Sequence, residues 1–110
     1  WIIEETNPDW VKLQVDFYWV MRASKIMPKD LINLAQGRFK LWHIKDMDPI
    51  TKDYTELGYG SIDYTKILPE PNLSGLEYYY LEQGGNYALN SMDSAKKSID
   101  FFKKNIQKLI

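Results

Sequence analysis

Apolar runs of strand character alternate with segments of helical spacing along the chain. From Leu13 to Val20 the sequence reads Leu-Gln-Val-Asp-Phe-Tyr-Trp-Val, rich in β-branched and aromatic residues after a turn-like Asn7-Pro8-Asp9, and predicts a first strand. Pro28 suits the first turn of a short helix, Leu31, Ile32 and Leu34 give it an apolar face, and Gly37 is placed to stop it. Phe39 to Asp46 is a second apolar run and a second strand. Met47 to Ser61 reads as a long loop ending in Gly58-Tyr59-Gly60. Asp63 is a cap for a short helix through Leu68, which Pro69 and Pro71 would break. Leu76 to Gln83 predicts a third strand. Asn90 or Ser91 would cap a last helix, in which Ala95, Ile99, Phe102, Ile106 and Leu109 recur on one face while Lys96, Lys97, Lys103 and Lys104 point elsewhere. The lysines read most simply as a solvated face.

Strands that alternate with helices across crossovers of more than a dozen residues form βαβ units, so the three strands should be parallel. Three parallel strands cannot close a barrel, which typically needs ~250 residues for eight. The pattern therefore fits an open sector of a larger barrel or a small open α/β sheet complete in itself.

Composition narrows the class. The chain has 110 residues, 45% hydrophobic and 26% charged, which suits one globular core and argues against disorder. A net charge of -1 spread along the chain, with no basic stripe, argues against nucleic acid as a partner. The apolar runs are too short to span a bilayer. With no cysteine, disulfides and thiolate metal sites are excluded while the compartment stays open. The chain begins Trp1-Ile2-Ile3 without an initiator methionine, and we expect the gene product to start upstream.

The chemistry-bearing residues sit toward the C-terminal ends of the expected strands. His43, the one histidine, shares a strand face with Leu41 and Lys45; Asp16 shares one with Gln14 and Tyr18; Glu82 shares one with Tyr78 and Tyr80. Ligands bind at that end of parallel sheets. Two carboxylates and an imidazole suit Mn²⁺, Mg²⁺, Co²⁺ or Zn²⁺, with a fourth ligand still required. From spacing alone the simpler reading is an interior histidine and two acids that salt-bridge to a neighbour, with Lys45 the ready partner. The run Tyr78-Tyr79-Tyr80, like Trp19 and Trp42, suits stacking on a sugar ring or plain strand packing. Gly58-Tyr59-Gly60 is too short for a phosphate-cradling fingerprint.

Four blocks, in order, carry a resemblance over nearly the full length. Val15-Asp16-Phe17-Tyr18-Trp19-Val20, Gly37-Arg38-Phe39 through His43-Ile44-Lys45-Asp46, Gly58-Tyr59-Gly60-Ser61-Ile62-Asp63 and Tyr80-Leu81-Glu82-Gln83 resemble the stretches around strands six to eight of sugar phosphate isomerases and epimerases of the xylose-isomerase-like (β/α)8 TIM-barrel group. The resemblance implies the C-terminal sector of such a barrel over residues 1–110, with a divalent metal held by Asp16, His43 and Glu82 and by a strand-five glutamate that has no counterpart here. It also implies that Glu82 is both ligand and acid/base, exchanging a proton next to a carbonyl. Two positions depart from the family: Trp19 stands where epimerases often have a histidine, and Pro49 where some have an arginine. We therefore expect Trp19, Lys45 and Asp46 as the substrate contacts.

The function expected from this reading is a metal-dependent sugar or sugar phosphate isomerase or epimerase. The alternatives are a metal-dependent hydrolase or lyase on a glycoside or phosphate, and a non-catalytic piece acting only in assembly or binding. Exposed strand edges predict self-association or pairing with the rest of a barrel.

Overall fold

A computed structural model describes residues 1–110. In chain order the elements are α1 (Ile2–Glu5), β1 (Leu13–Asp16), α2 (Phe17–Ala23), α3 (Pro28–Asn33), β2 (Phe39–Ile44), β3 (Asp46–Met47), β4 (Tyr54–Thr55), α4 (Tyr64–Ile67), α5 (Pro71–Ser74), β5 (Tyr78–Leu81) and α6 (Ser91–Asn105), followed by a 3-10 turn at Gln107–Leu109. Strands β1, β2 and β5 form one three-stranded parallel sheet in that order, with Asp16 opposite His43 and His43 opposite Tyr80. The chain is thus a mixed α/β fold with flanking helices, and the three strands of this sheet lie side by side in chain order. No helix is long and apolar enough to cross a membrane.

One face of this sheet carries the core. Val15, Trp42 and Ile44 are buried there with Phe17, Ile32, Tyr64, Ile67, Phe102 and Ile106 from the covering segments. Phe17 meets the rings of Trp42 and Tyr64 edge-on at 5.3 and 5.8 Å. The Trp42 indole N–H, which would be costly to bury unpaired, donates to Ser74 Oγ at 2.9 Å, and that hydroxyl donates to the Phe39 carbonyl at 2.7 Å. Arg38, 6% exposed, ties down the N-terminal segment by donating to the carbonyls of Ile3 and Val11 and to Thr6 Oγ1. The opposite face of the sheet bears Gln14, Leu41, His43, Tyr78 and Tyr80 and is not covered: Tyr78 is 63% and Tyr80 48% exposed. The outer edges of β1 and β5 have no strand partner.

Several elements differ from the sequence-based expectation. The first strand stops at Asp16 instead of Val20, because the Asp16 carboxylate caps α2 by accepting from the Trp19 N–H at 3.2 Å. The aromatic run Phe17-Tyr18-Trp19 has strand propensity, but as a helix it buries both Phe17 and Tyr18, and packing outweighs propensity. Tyr18 consequently leaves the face it was expected to share with Asp16. The second strand ends at Ile44 rather than Asp46, and Asp46–Met47 (β3) pairs with β4, which lies in the expected loop 47–61, as a small antiparallel hairpin. Pro71 begins α5 rather than only ending the preceding helix. Asn90 caps α6 as expected, but only Phe102 and Ile106 of the anticipated apolar face are buried; Ile99 is 41% and Leu109 39% exposed, and Ser94 turns inward instead.

Candidate metal centre

The sheet register assembles the site. Asp16 is the last residue of β1, His43 lies directly opposite it on β2, and Glu82 follows β5 with its N–H donating to the Ile44 carbonyl at 3.0 Å. Ligand atoms of Asp16, His43 and Glu82 all lie within 4.8 Å of one another, at the C-terminal end of the sheet. His43 Nδ1 is 2.7 Å from Glu82 Oε2 and 3.8 Å from Asp16 Oδ2, and the ring meets Tyr80 edge-on at 5.6 Å.

Lys45 completes the cluster from the same face of the β2 segment. Its Nζ is 2.8 Å from Asp16 Oδ2 and 2.9 Å from Glu82 Oε2, and its side chain is 9% exposed. Burial by itself would lower the Lys45 pKa, but its hydrogen bonds to Asp16 and Glu82 and their negative charges outweigh that, so the ammonium is held above the ordinary lysine value. In return the Lys45 hydrogen bond, opposed by partial burial and aided by the lysine charge and His43, holds Glu82 below the usual carboxylate range. The main chain of Lys45 is fixed by a residue that the sequence reading did not single out. The buried Tyr64 hydroxyl accepts from the Lys45 N–H at 3.0 Å and donates to the Lys45 carbonyl at 2.6 Å. Burial pushes the Tyr64 phenol well above its ordinary pKa, so it stays neutral and keeps its donor. No short-range pattern marks Tyr64, which reaches Lys45 only through folding.

The other expected substrate contacts have different fates. Asp46 is 2% exposed, and its two oxygens accept from four backbone amides, those of Met47, Gly58, Gly60 and Ile62 at 2.8–3.1 Å. With both oxygens so held, the carboxylate positions the loop, and Asp46 also lines the cleft beside Glu82. Gly58 and Gly60 permit this wrapping: a Cβ at Gly60 would stand 2.2 Å from Asp46 Oδ1, and one at Gly58 2.2 Å from the Phe101 ring. Trp19 lies on α2, 47% exposed, with its ring edge-on to Tyr18 and beneath the Arg22 guanidinium. Its backbone N–H joins it to Asp16 through the cap.

Beside Glu82 lies a cleft of about 320 Å³ between β5 and α6, lined by Ile44, Leu81, Gln83, Tyr87 and Ser98 among others and by no lysine or arginine. The Gln83 side-chain carbonyl oxygen is buried without a hydrogen-bond partner. Just behind the cleft, Glu56 is 5% exposed and accepts from Ser94 Oγ and the Ala88 N–H. The chain matches no protein-family model and no curated protein.

Proposed function

We propose that this chain is the C-terminal sector of a xylose-isomerase-like (β/α)8 barrel and supplies Asp16, His43 and Glu82 to a divalent metal site for sugar isomerisation or epimerisation. The observation that carries this reading is the meeting of those three side chains within 4.8 Å at the C-terminal ends of consecutive parallel strands. Sequential strand order, helices over one face and a bare opposite face are what a barrel sector has, whereas a doubly wound sheet needs cover on both faces. The donor set fits a divalent ion: two carboxylates and a borderline nitrogen converge, and a cationic group, the Lys45 ammonium, is already drawn between the two acids.

When bound, the ion would polarise the substrate carbonyl and ease loss of the neighbouring carbon-bound proton. Glu82 would accept that proton; in the metal-free chain its carboxylate is kept ionised by Lys45 and contacted by His43 at 2.7 Å. The second acid/base and the fourth ligand come from the preceding strand of the barrel. The adjoining cleft, lined half by apolar side chains and otherwise by hydroxyl, amide and carboxylate groups with no cation, suits a neutral ligand better than a phosphate. By itself the 110-residue chain acts in assembly rather than catalysis, since three ligands and one acid/base complete neither the site nor the exchange.

The test uses the single histidine. Mn²⁺ titrated into the chain should broaden the His43 imidazole NMR signals selectively and weakly, and Asp16→Asn or Glu82→Gln should abolish the effect. Signals unmoved by Mn²⁺ would remove the metal reading. In the longest natural chain carrying these residues, Glu82→Gln should stop deuterium wash-in at the carbon beside the substrate carbonyl.

A further inference from the structure

We infer that Lys45 is an internal counter-cation of the metal site, seated between the acids when no metal is bound and displaced when a divalent ion enters. The inference rests on the metal reading above and adds a competitor built into the chain.

The geometry carries it. The oxygens that hold the Lys45 ammonium at 2.8 and 2.9 Å are Asp16 Oδ2 and Glu82 Oε2, the same two that lie nearest His43 Nδ1, at 3.8 and 2.7 Å. An ion shared by the three ligands needs those oxygens at about 2.0–2.2 Å. Ammonium and dication would then lie a few ångströms apart on the same acceptors, where like charges repel strongly in a partly desolvated site. The two occupants are therefore mutually exclusive.

Without a cation, two carboxylates so close would repel one another and open the strand ends. Lys45 removes that repulsion and keeps the acids gathered in the metal-free chain. Its backbone cannot leave, because the Tyr64 hydroxyl binds both its N–H and its carbonyl, but its four-carbon stem can swing. Entry of the ion thus requires only a side-chain rotation and not a rearrangement of the sheet. Lys45 is a positioning residue: it sets how tightly the metal is held and keeps its ligands ordered before the metal arrives.

The experiment compares Mn²⁺ titrations of the wild-type chain, Lys45→Met and Lys45→Arg, read by broadening of the His43 imidazole signals, with circular dichroism as the check on folding. Lys45→Met removes the competing charge and should lower the Mn²⁺ concentration for half-broadening on the order of tenfold or more. The same variant should be less stable than wild type in the absence of metal. Lys45→Arg keeps the charge and should need at least as much Mn²⁺ as wild type. If Lys45→Met does not fold, Lys45→Gln, which can still hydrogen-bond to both acids, takes its place with the same expected direction. A folded, uncharged variant that needs as much Mn²⁺ as wild type, or more, overturns the inference while leaving the metal reading intact. No broadening in any of the proteins overturns both.

Discussion

Asp16 and His43 face each other as register partners across β1 and β2, and Asp16 divides its carboxylate between them and the next element. Oδ1 accepts from the Trp19 N–H and starts α2, while Oδ2 faces His43 and binds Lys45. The two tasks are separable by substitution. Asp16→Asn keeps a cap acceptor and loses the charge, whereas Asp16→Ala loses both. Asp16→Ala should be about 1 kcal/mol less stable than Asp16→Asn in urea unfolding. Equal stabilities would show that the cap contributes nothing.

Asp46 and its four amide donors hold the segment between β3 and α4. Removing the carboxylate leaves buried N–H groups without acceptors, so Asp46→Ala should cost roughly 2–4 kcal/mol. Asp46→Asn should recover little, because its NH2 group would be turned toward amide donors. Hydrogen exchange should quicken at Gly58, Gly60 and Ile62 in both variants. Gly60→Ala attacks the same contact from the other side and should quicken the same amides, its Cβ displacing Asp46. Unchanged exchange would mean that the loop is held by other contacts.

Glu56 gives a pH dependence. Burial would raise its pKa, but hydrogen bonds from Ser94 and Ala88 outweigh it and hold the carboxyl below the ordinary glutamate value. A folded-state pKa below the unfolded one adds stability that is complete above the ordinary value and is lost as pH falls toward the depressed one. Stability of the wild-type chain should therefore hold down to the ordinary glutamate value and drop as pH falls below it. Glu56→Gln should be less stable near neutrality and should show a shallower acid limb, read from urea midpoints between pH 7 and pH 3. Parallel curves would exclude Glu56 as a contributor.

The bare face and the two free strand edges predict association. Light scattering should find oligomers whose fraction rises with concentration, and a charge at the β5 edge, as in Tyr80→Lys, should lower it. A monodisperse monomer at all concentrations would favour a self-contained α/β sheet over a barrel sector.

Much of the architecture is legible locally. The run around Trp42 and Ile44 reads as a strand, Asp63 and Asn90 or Ser91 suit caps by residue type and position, and Pro28 opens its helix. The end of β1 is not legible locally. Residues 17 to 20 favour a strand by propensity, and the helix wins because Phe17 and Tyr18 find Trp42, Tyr54 and Tyr64 only after the chain has folded. The β3–β4 hairpin escapes for the same reason, its two-residue strands being too short to leave a pattern.

By itself the sequence determined that three strands alternate with helices, and that Asp16, His43 and Glu82 lie near strand ends, because periodicity and residue type are local properties. Tertiary structure decided what those residues do to one another. It set Asp16 opposite His43, brought Lys45 between the two acids and Tyr64 behind Lys45, and turned Asp46 inward onto four amides. These pairings join residues distant along the chain, and sheet register and burial, which fix them, exist only in the folded molecule.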